Sequence, residues 1–291
     1  MTTFDTPSPI TVTVDLGIGD IQIVAGDRTD TVVDVRPSDP AQKADVDAAE
    51  RVRVEYGDGR LLVKATKAWK QYTFRGGRES IDVRIDLPAG SQVHGEGGIV
   101  AIRSTGRLGE CRYKTGIGDI RIEHAGPVEL KTGSGNISVE RAVGRAEITT
   151  SSGALRIGTI DGTAVIKNSN GDTRIGGVTG DLRVNAANGT IAVDQARAGV
   201  EARTANGDVR LGELAGGTAL VKTAYGQVDV GIRQGAVAWL DLVTGYGRVR
   251  NDLDAAEGPT SGEDAVEVRA RTAFGDITIH RSFADNWRGA A

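Results

Sequence analysis

A single cysteine, Cys111, stands in 291 residues, so no disulfide can close within the chain and no cysteine-based zinc site can be assembled. Proline is sparse at 7 residues, and aromatic residues make up only 4%. Any core must therefore be built from Ile, Val, Leu and Ala. Neither sign of charge dominates: 35 Lys and Arg stand against 39 Asp and Glu, a net charge of −4. Nucleic-acid binders carry a basic excess or a basic block, so nucleic acid is not expected as a partner. The longest apolar run, Ala236–Val243, is interrupted by Asp241 and is too short to span a bilayer. The opening residues, MTTFDTPSPI, hold no Lys, no Arg and no apolar stretch. They do not read as a secretory signal, and the expected location is the cytoplasm.

What the chain has instead is glycine, 41 residues of it, at regular intervals. That regularity excludes both collagen and low-complexity disorder. A phrase recurs: TGIGDIRIE, TGSGNISVE, NSNGDTRIG, AANGTIAVD, TANGDVRLG, TAFGDITIH. The glycines closing its copies are Gly118, Gly135, Gly153, Gly171, Gly189, Gly207, Gly226, Gly247 and Gly275. Their steps are 17, 18, 18, 18, 18, 19, 21 and 28 residues. A second series, Gly126, Gly144, Gly162, Gly180 and Gly216, falls between them. Two turns per period mean two strands per period, and a fixed period near 20 residues marks a solenoid.

The expected fold is all-β: a single-stranded β-solenoid (β-helix-like) of coils about eighteen residues long, two strands per coil, with a β-rich N-terminal cap. Alternation within each coil turns Ile120, Ile137, Leu155, Thr173, Ile191, Val209 and Val228 inward. The next inward series is Ile122, Val139, Ile157, Ile175, Val193, Leu211 and Val230. The Asn-Gly pairs at Asn170, Asn188 and Asn206 are assigned to tight turns that tolerate left-handed backbone. Residues 1–100 form a β-rich region that starts the solenoid and contains one short helix near 40–50, opened by Asp39–Pro40. Residues 101–282 are the repeat solenoid, and 283–291 a C-terminal tail. The insert Asn251–Ala265 reads as an exposed loop.

The order LGIGDIQIVAGDRTDTVVDVRPSDP, DGRLLVKA, IDVRIDLPAGSQV and then serial TGxGDIxI coils resembles the bacterial putative-adhesin, β-strand-repeat family of unknown function. The likeness runs from about Ile10 to His280. It implies a β-solenoid-like fold and brings no catalytic residues with it. Adhesion would imply export, whereas the opening residues imply the cytoplasm.

Chemistry is harder to find. After each closing glycine the chain reads Asp119, Asn136, Ala154, Asp172, Thr190, Asp208, Gln227, Arg248, Asp276. A calcium site wants about six to eight converging oxygens, which a column broken by Ala and Arg does not offer. Glycosidic cleavage needs two carboxyls roughly 5–9.5 Å apart, and Asp172 and Asp208 lie two coils apart, about 10 Å at the usual strand spacing. Cys111 reads as a small buried hydrophobe, and His94, His124 and His280 share no metal-like spacing. No cofactor, no metal and no enzymatic activity are expected. The threonines at 115, 132, 150, 204, 223, 244 and 272 form an interrupted column beside a corner, unlike the flat paired columns of an ice-binding face.

The candidate partner surface is an intermittent basic stripe, Arg121, Arg156, Arg174 and Arg210, with aromatics Tyr225, Tyr246 and Phe274 in the corner position that elsewhere holds Asn. The function expected is a scaffold or interaction protein that presents a rigid surface to a protein partner or to copies of itself. The alternative is a carbohydrate-binding or carbohydrate-active β-helix.

Overall fold

The computed structural model describes residues 1–65, 79–253 and 265–282. Most of the expected loop at 251–265 and all of the expected tail at 283–291 lie outside the described residues. Contacts divide the chain into two units, Met1–Thr150 and Ser151–Ala291.

The first unit holds strands Thr2–Asp5 (β1), Thr11–Gly26 (β2) and Asp30–Pro37 (β3), then helix Lys43–Glu50 (α1). Strands Arg53–Gly57 (β4), Arg60–Lys64 (β5), Ile81–Pro88 (β6) and Gln92–Arg107 (β7) follow. The unit continues with Cys111–Ile117 (β8), Ile120–Ala125 (β9), Val128–Ser134 (β10) and Ile137–Val143 (β11), and its last residues belong to Ala146–Ser152 (β12), which runs past the boundary at Thr150. The long strand β2 is its organiser. Its first half pairs in parallel with β5 on one side and β7 on the other; its second half lies between β6 and β7. Apolar columns follow from that register. Ile21 stands between Val83 and Ile102, and Ile102 leads through Ile120 to Ile137. Every member is at most 3% exposed. Antiparallel strands end the ladder: β3 on β6 with β1 beyond it, and β4 on β5. This is how an edge is closed against foreign pairing.

One bulky residue interrupts the aliphatic filling. Tyr113 lies in register with Gly95 and Leu130 and is 2% exposed. A Cβ at Gly95 would sit 2.5 Å from the tyrosine ring, so only glycine leaves it room. The phenol has no hydrogen-bond partner among the described residues. Burial, then Cys111 and Asp20, push its pKa well above the usual tyrosine value. An orphaned buried hydroxyl costs stability. Tyr113→Phe is therefore expected to raise unfolding stability by about 1 kcal/mol, measured as a shift of the urea midpoint at unchanged slope.

The second unit comprises Leu155–Asp161 (β13), Ala164–Asn170 (β14), Thr173–Val178 (β15), Leu182–Asn188 (β16), Ile191–Ala196 (β17) and Val200–Arg203 (β18). It continues with Val209–Leu214 (β19), Gly217–Tyr225 (β20), Val228–Ile232 (β21), Val237–Tyr246 (β22), Val249–Asn251 (β23), Ala265–Phe274 (β24) and Ile277–Arg281 (β25). Two parallel ladders run through it. In one, Ile157 pairs with Ile175, Ile175 with Val193 and Val193 with Leu211. In the other, Ala164 pairs with Leu182, Leu182 with Val200 and Val200 with Ala219. All eight are at most 3% exposed.

The ladder order departs from the chain order at the C-terminal end. The strand β20 pairs with β24, and β24 with β22; likewise β21 pairs with β25, and β25 with β23. The last copy of the phrase, Thr272–Gly275, is thus inserted between the two copies that precede it in sequence.

In the Asn-Gly corners the positive φ expected of the pairs is found at the glycines, Gly171, Gly189 and Gly207, and not at the asparagines. Among the described residues Asp58 alone, apart from glycines, has a positive φ. The corner asparagines instead form an amide ladder, Asn206 Nδ2 to Asn188 Oδ1 and Asn188 Nδ2 to Asn170 Oδ1, each 2.8 Å. The threonine column faces inward. Thr223 donates to the Gly207 carbonyl at 3.0 Å, Thr272 to Gly226 at 3.1 Å and Thr244 to Gly275 at 2.9 Å. Each hydroxyl satisfies a corner carbonyl on the neighbouring rung, which a buried polar group requires.

Candidate functional site

The acids after the closing glycines are structural ties. One oxygen of each accepts a backbone N–H from the adjacent rung: Asp119 from Asn136, Asp172 from Thr190 and Asp208 from Gln227 at 2.9 Å, and Asp276 from Arg248 at 2.8 Å. A carboxylate bound to a backbone amide in this way makes a charge-assisted bond across the ladder.

The basic stripe is partly neutralised by these and neighbouring acids. In the first unit Arg121 lies 3.2 Å from Asp119. In the second, Arg174 lies 3.4 Å from Asp194 and Arg210 lies 3.5 Å from Asp208. Arg156 pairs in register with Arg174, and Arg210 follows after Ala192. All four arginines are exposed. Such solvated pairs contribute between zero and about 1 kcal/mol each, so the stripe is a mixed-charge face.

Two grooves run along these faces, one in each unit. The groove of the first unit encloses about 850 Å³ between residues that include Asp20, Asp82, Arg84, Arg103, Asp119 and Arg121. Burial and the facing Asp82 raise the Asp20 carboxyl above its ordinary pKa, against the opposing pull of Arg103. The groove of the second unit encloses about 680 Å³ beside Arg174, Asp194, Arg210, Glu213, Asp229 and His280. Burial opposes charging of His280, yet the Arg281 carbonyl at 2.7 Å and Asp229 at 2.9 Å hold its pKa above the usual value. Both ring nitrogens are thereby engaged. The nearby Ser282 hydroxyl donates to Glu213 at 3.1 Å rather than to an imidazole. Cys111 is fully buried, and burial followed by Glu110 pushes its thiol up to about 12.

The three aromatics meet at the far end of the second unit. Phe274 is sandwiched, with Tyr225 and Tyr246 each 4.9 Å away and interplanar angles of 0° and 6°. The stack extends the amide ladder, since Asn206 pairs with Tyr225. Reading the residues in chain order would have put Tyr246 in the middle; the rung inversion puts Phe274 there. Tyr246 is 72% exposed, and its outer ring face has no ring partner among the described residues.

The same rung carries a feature that no sequence motif marks. Among the described strands β22 pairs with β24 alone, so no described residue pairs with the other side of its ten residues, an edge open among the described residues. Val266, Val268 and Ala270 on β24 are buried, whereas Ala238, Leu240 and Leu242, in register on β22, are half-buried. Trp239, Val243, Tyr246 and Val249 are exposed. The Arg269 guanidinium lies over the Trp239 ring, 5.7 Å from its centre.

These ladders and corners define an all-β repeat protein of β-solenoid-like fold. The chain belongs to the Toastrack DUF4097 family, whose model matches residues 11–280. The resemblance read from the strand-repeat motifs covers the same span. Among solved structures the chain is similar to a putative adhesin from Parabacteroides merdae, with 12% identity, 96% of this chain and 94% of that one covered, and a TM-score of 0.41. It is also similar to a putative adhesin from Parabacteroides distasonis, with 18% identity, 95% of each chain covered and a TM-score of 0.38. A putative lipid binding protein from Parabacteroides distasonis matches at 12% identity, covering 96% of this chain and 95% of that one, with a TM-score of 0.33. A search of curated proteins found no match. No helix among the described residues is long and apolar enough to cross a membrane.

Proposed function

We propose that this protein is a non-enzymatic β-solenoid scaffold, wound in coils of about eighteen residues with two strands each, that associates with a second copy of itself by strand addition at the β22 and β23 rung. The observation that carries this reading is the edge of β22 that no described strand pairs with. Natural edges are blunted by Lys, Pro, bulges or covering segments. Of these devices the sequence VAWLDLVTGY has neither Lys nor Pro, and its single charge, Asp241, is turned toward Arg271 at 3.6 Å. A strand added there would gain main-chain hydrogen bonds and cover Leu240 and Leu242.

The test is sedimentation of the full chain over a wide concentration range, alongside the double variant Trp239→Ser/Val243→Glu. Both residues are exposed, so the variant should keep its fold. A concentration-dependent dimer that the variant abolishes supports the reading. A wild-type chain that stays monomeric at the highest concentration reached overturns it.

The carbohydrate alternative draws on the aromatic stack. Sugars stack on ring faces, but Phe274 is covered on both sides and Tyr225 on one. Tyr246, at 72% exposure, is the most open ring of the stack, with Tyr225 next at 56%, so the ring area free for a sugar is small, which favours the protein-binding reading.

A further inference from the structure

We propose that Glu123, His124 and Glu140 in the first unit form a binding site for a first-row divalent transition cation of the zinc class. The site is independent of the open edge and lies where strand alternation breaks at a corner of the ladder. Along β9, Ile120 and Ile122 are buried and Arg121 is exposed; then Glu123 and His124 are both partly exposed before Ala125 is buried again. The next rung repeats the break, with Glu140 and Arg141 exposed in succession before buried Ala142. Two sequence neighbours thereby reach the same side of the sheet.

The register does the rest. Ile122 pairs with Val139 and His124 with Arg141, so Glu123 stands beside Glu140. Like charges on adjacent strands repel, yet one carboxylate oxygen from each and a ring nitrogen of His124 lie within 4.8 Å of one another. Glu123 is also held in place. Its Oε2 accepts the Gly106 N–H at 2.8 Å, at an irregularity where β7 shifts register against β9. The other oxygen, Oε1, is left 3.5 Å from His124 Nδ1. A backbone donor that fixes one carboxylate oxygen and presents the other is the arrangement that outer-shell partners supply in metal sites.

Two carboxylates and one imidazole with an open fourth position match zinc and its first-row neighbours. Calcium, which takes about six to eight oxygens, is poorly matched by so few donors and by an imidazole. A bound cation would also cancel the repulsion between the two glutamates. Two positive groups oppose it: Arg107 and Arg141 are aligned with His124 on either side.

The experiment is calorimetric titration of the chelator-treated full chain with zinc chloride, with cobalt chloride as a spectroscopic probe and calcium chloride as a control. The expected result is one zinc equivalent per chain, a cobalt absorption band of low-coordinate type and no heat from calcium. His124→Ala and Glu140→Gln should each weaken zinc binding at least about tenfold. Glu129→Gln, which alters a half-buried acid paired with Lys131, should leave it unchanged. Arg141→Gln should tighten binding, a response that scattered surface binding would not give. Each variant's melting curve without metal serves as the fold control. Zinc binding that is absent, or that is equal in His124→Ala, Glu140→Gln and wild type, overturns the proposal.

Discussion

Replacing Gly207 with Ala is expected to cost about 3 kcal/mol of unfolding stability. Its φ is +146°, a region that side chains rarely enter. A Cβ would sit 2.0 Å from the Gly189 carbonyl oxygen and 2.5 Å from its carbon. Those atoms are backbone and cannot swing aside. Gly189 N–H donates to Asn206 at 2.9 Å, Gly207 N–H to Tyr225 at 2.8 Å, and the Gly207 carbonyl accepts from Thr223 at 3.0 Å. Relieving the clash would therefore stretch a three-rung set of bonds. Gly216 is the control in the same unit: its φ is not positive and its Cβ would lie 3.9 Å from the nearest atom. Gly216→Ala should stay within about 0.5 kcal/mol of wild type. Equal denaturation midpoints for the two variants would mean that the corner glycines are not required by close backbone approach.

That contrast separates what the sequence made legible from what it did not. The glycine period located the corners and the phase of the apolar columns, because spacing and alternation are local properties of the chain. The reason for glycine at Gly207 was not legible, since the clash is with a residue eighteen positions away whose carbonyl points along the ladder. The rung order was missed for a related reason. Steps of 21 and 28 residues signalled an irregular end, but parallel pairing lets a longer connection return the chain to either side of a rung. One signal could have found it. In ladder order the positions after the closing glycines read Asp208, Gln227, Asp276, Arg248, with every acid followed by a neutral or basic residue that donates its amide. Chain order would bring Arg248 next to Gln227 and leave Asp276 last, with no following rung to tie. The threonine column was visible, but its inward direction depends on the unmet corner carbonyls. Glu123 and His124 were missed as a pair because strict alternation assigns adjacent residues to opposite faces, and only the bend at the corner brings them to one side.

Adjacent residues on opposite faces also supply the sharpest test of the register. Ile175→Ala is expected to destabilise the chain by about 3–4 kcal/mol, within the range for emptying a close-packed aliphatic site. Ile175 is 0% exposed and stands between Ile157 and Val193 in its column. The rungs above and below are fixed by their own hydrogen bonds, so the cavity can collapse only slightly. Arg174, one residue earlier, faces solvent with its side chain 71% exposed and, among the described residues, only the Asp194 pair to lose. Arg174→Ala should change stability by less than about 0.5 kcal/mol. A slip of one residue in the pairing of β15 with β13 and β17 would exchange these two outcomes, since side chains alternate with a period of two. Because each rung of a repeat protein leans mainly on its neighbours, hydrogen exchange in Ile175→Ala should accelerate most in β13, β15 and β17 and least in β24 and β25. Uniform acceleration across all five strands would show instead that the unit unfolds as one cooperative body.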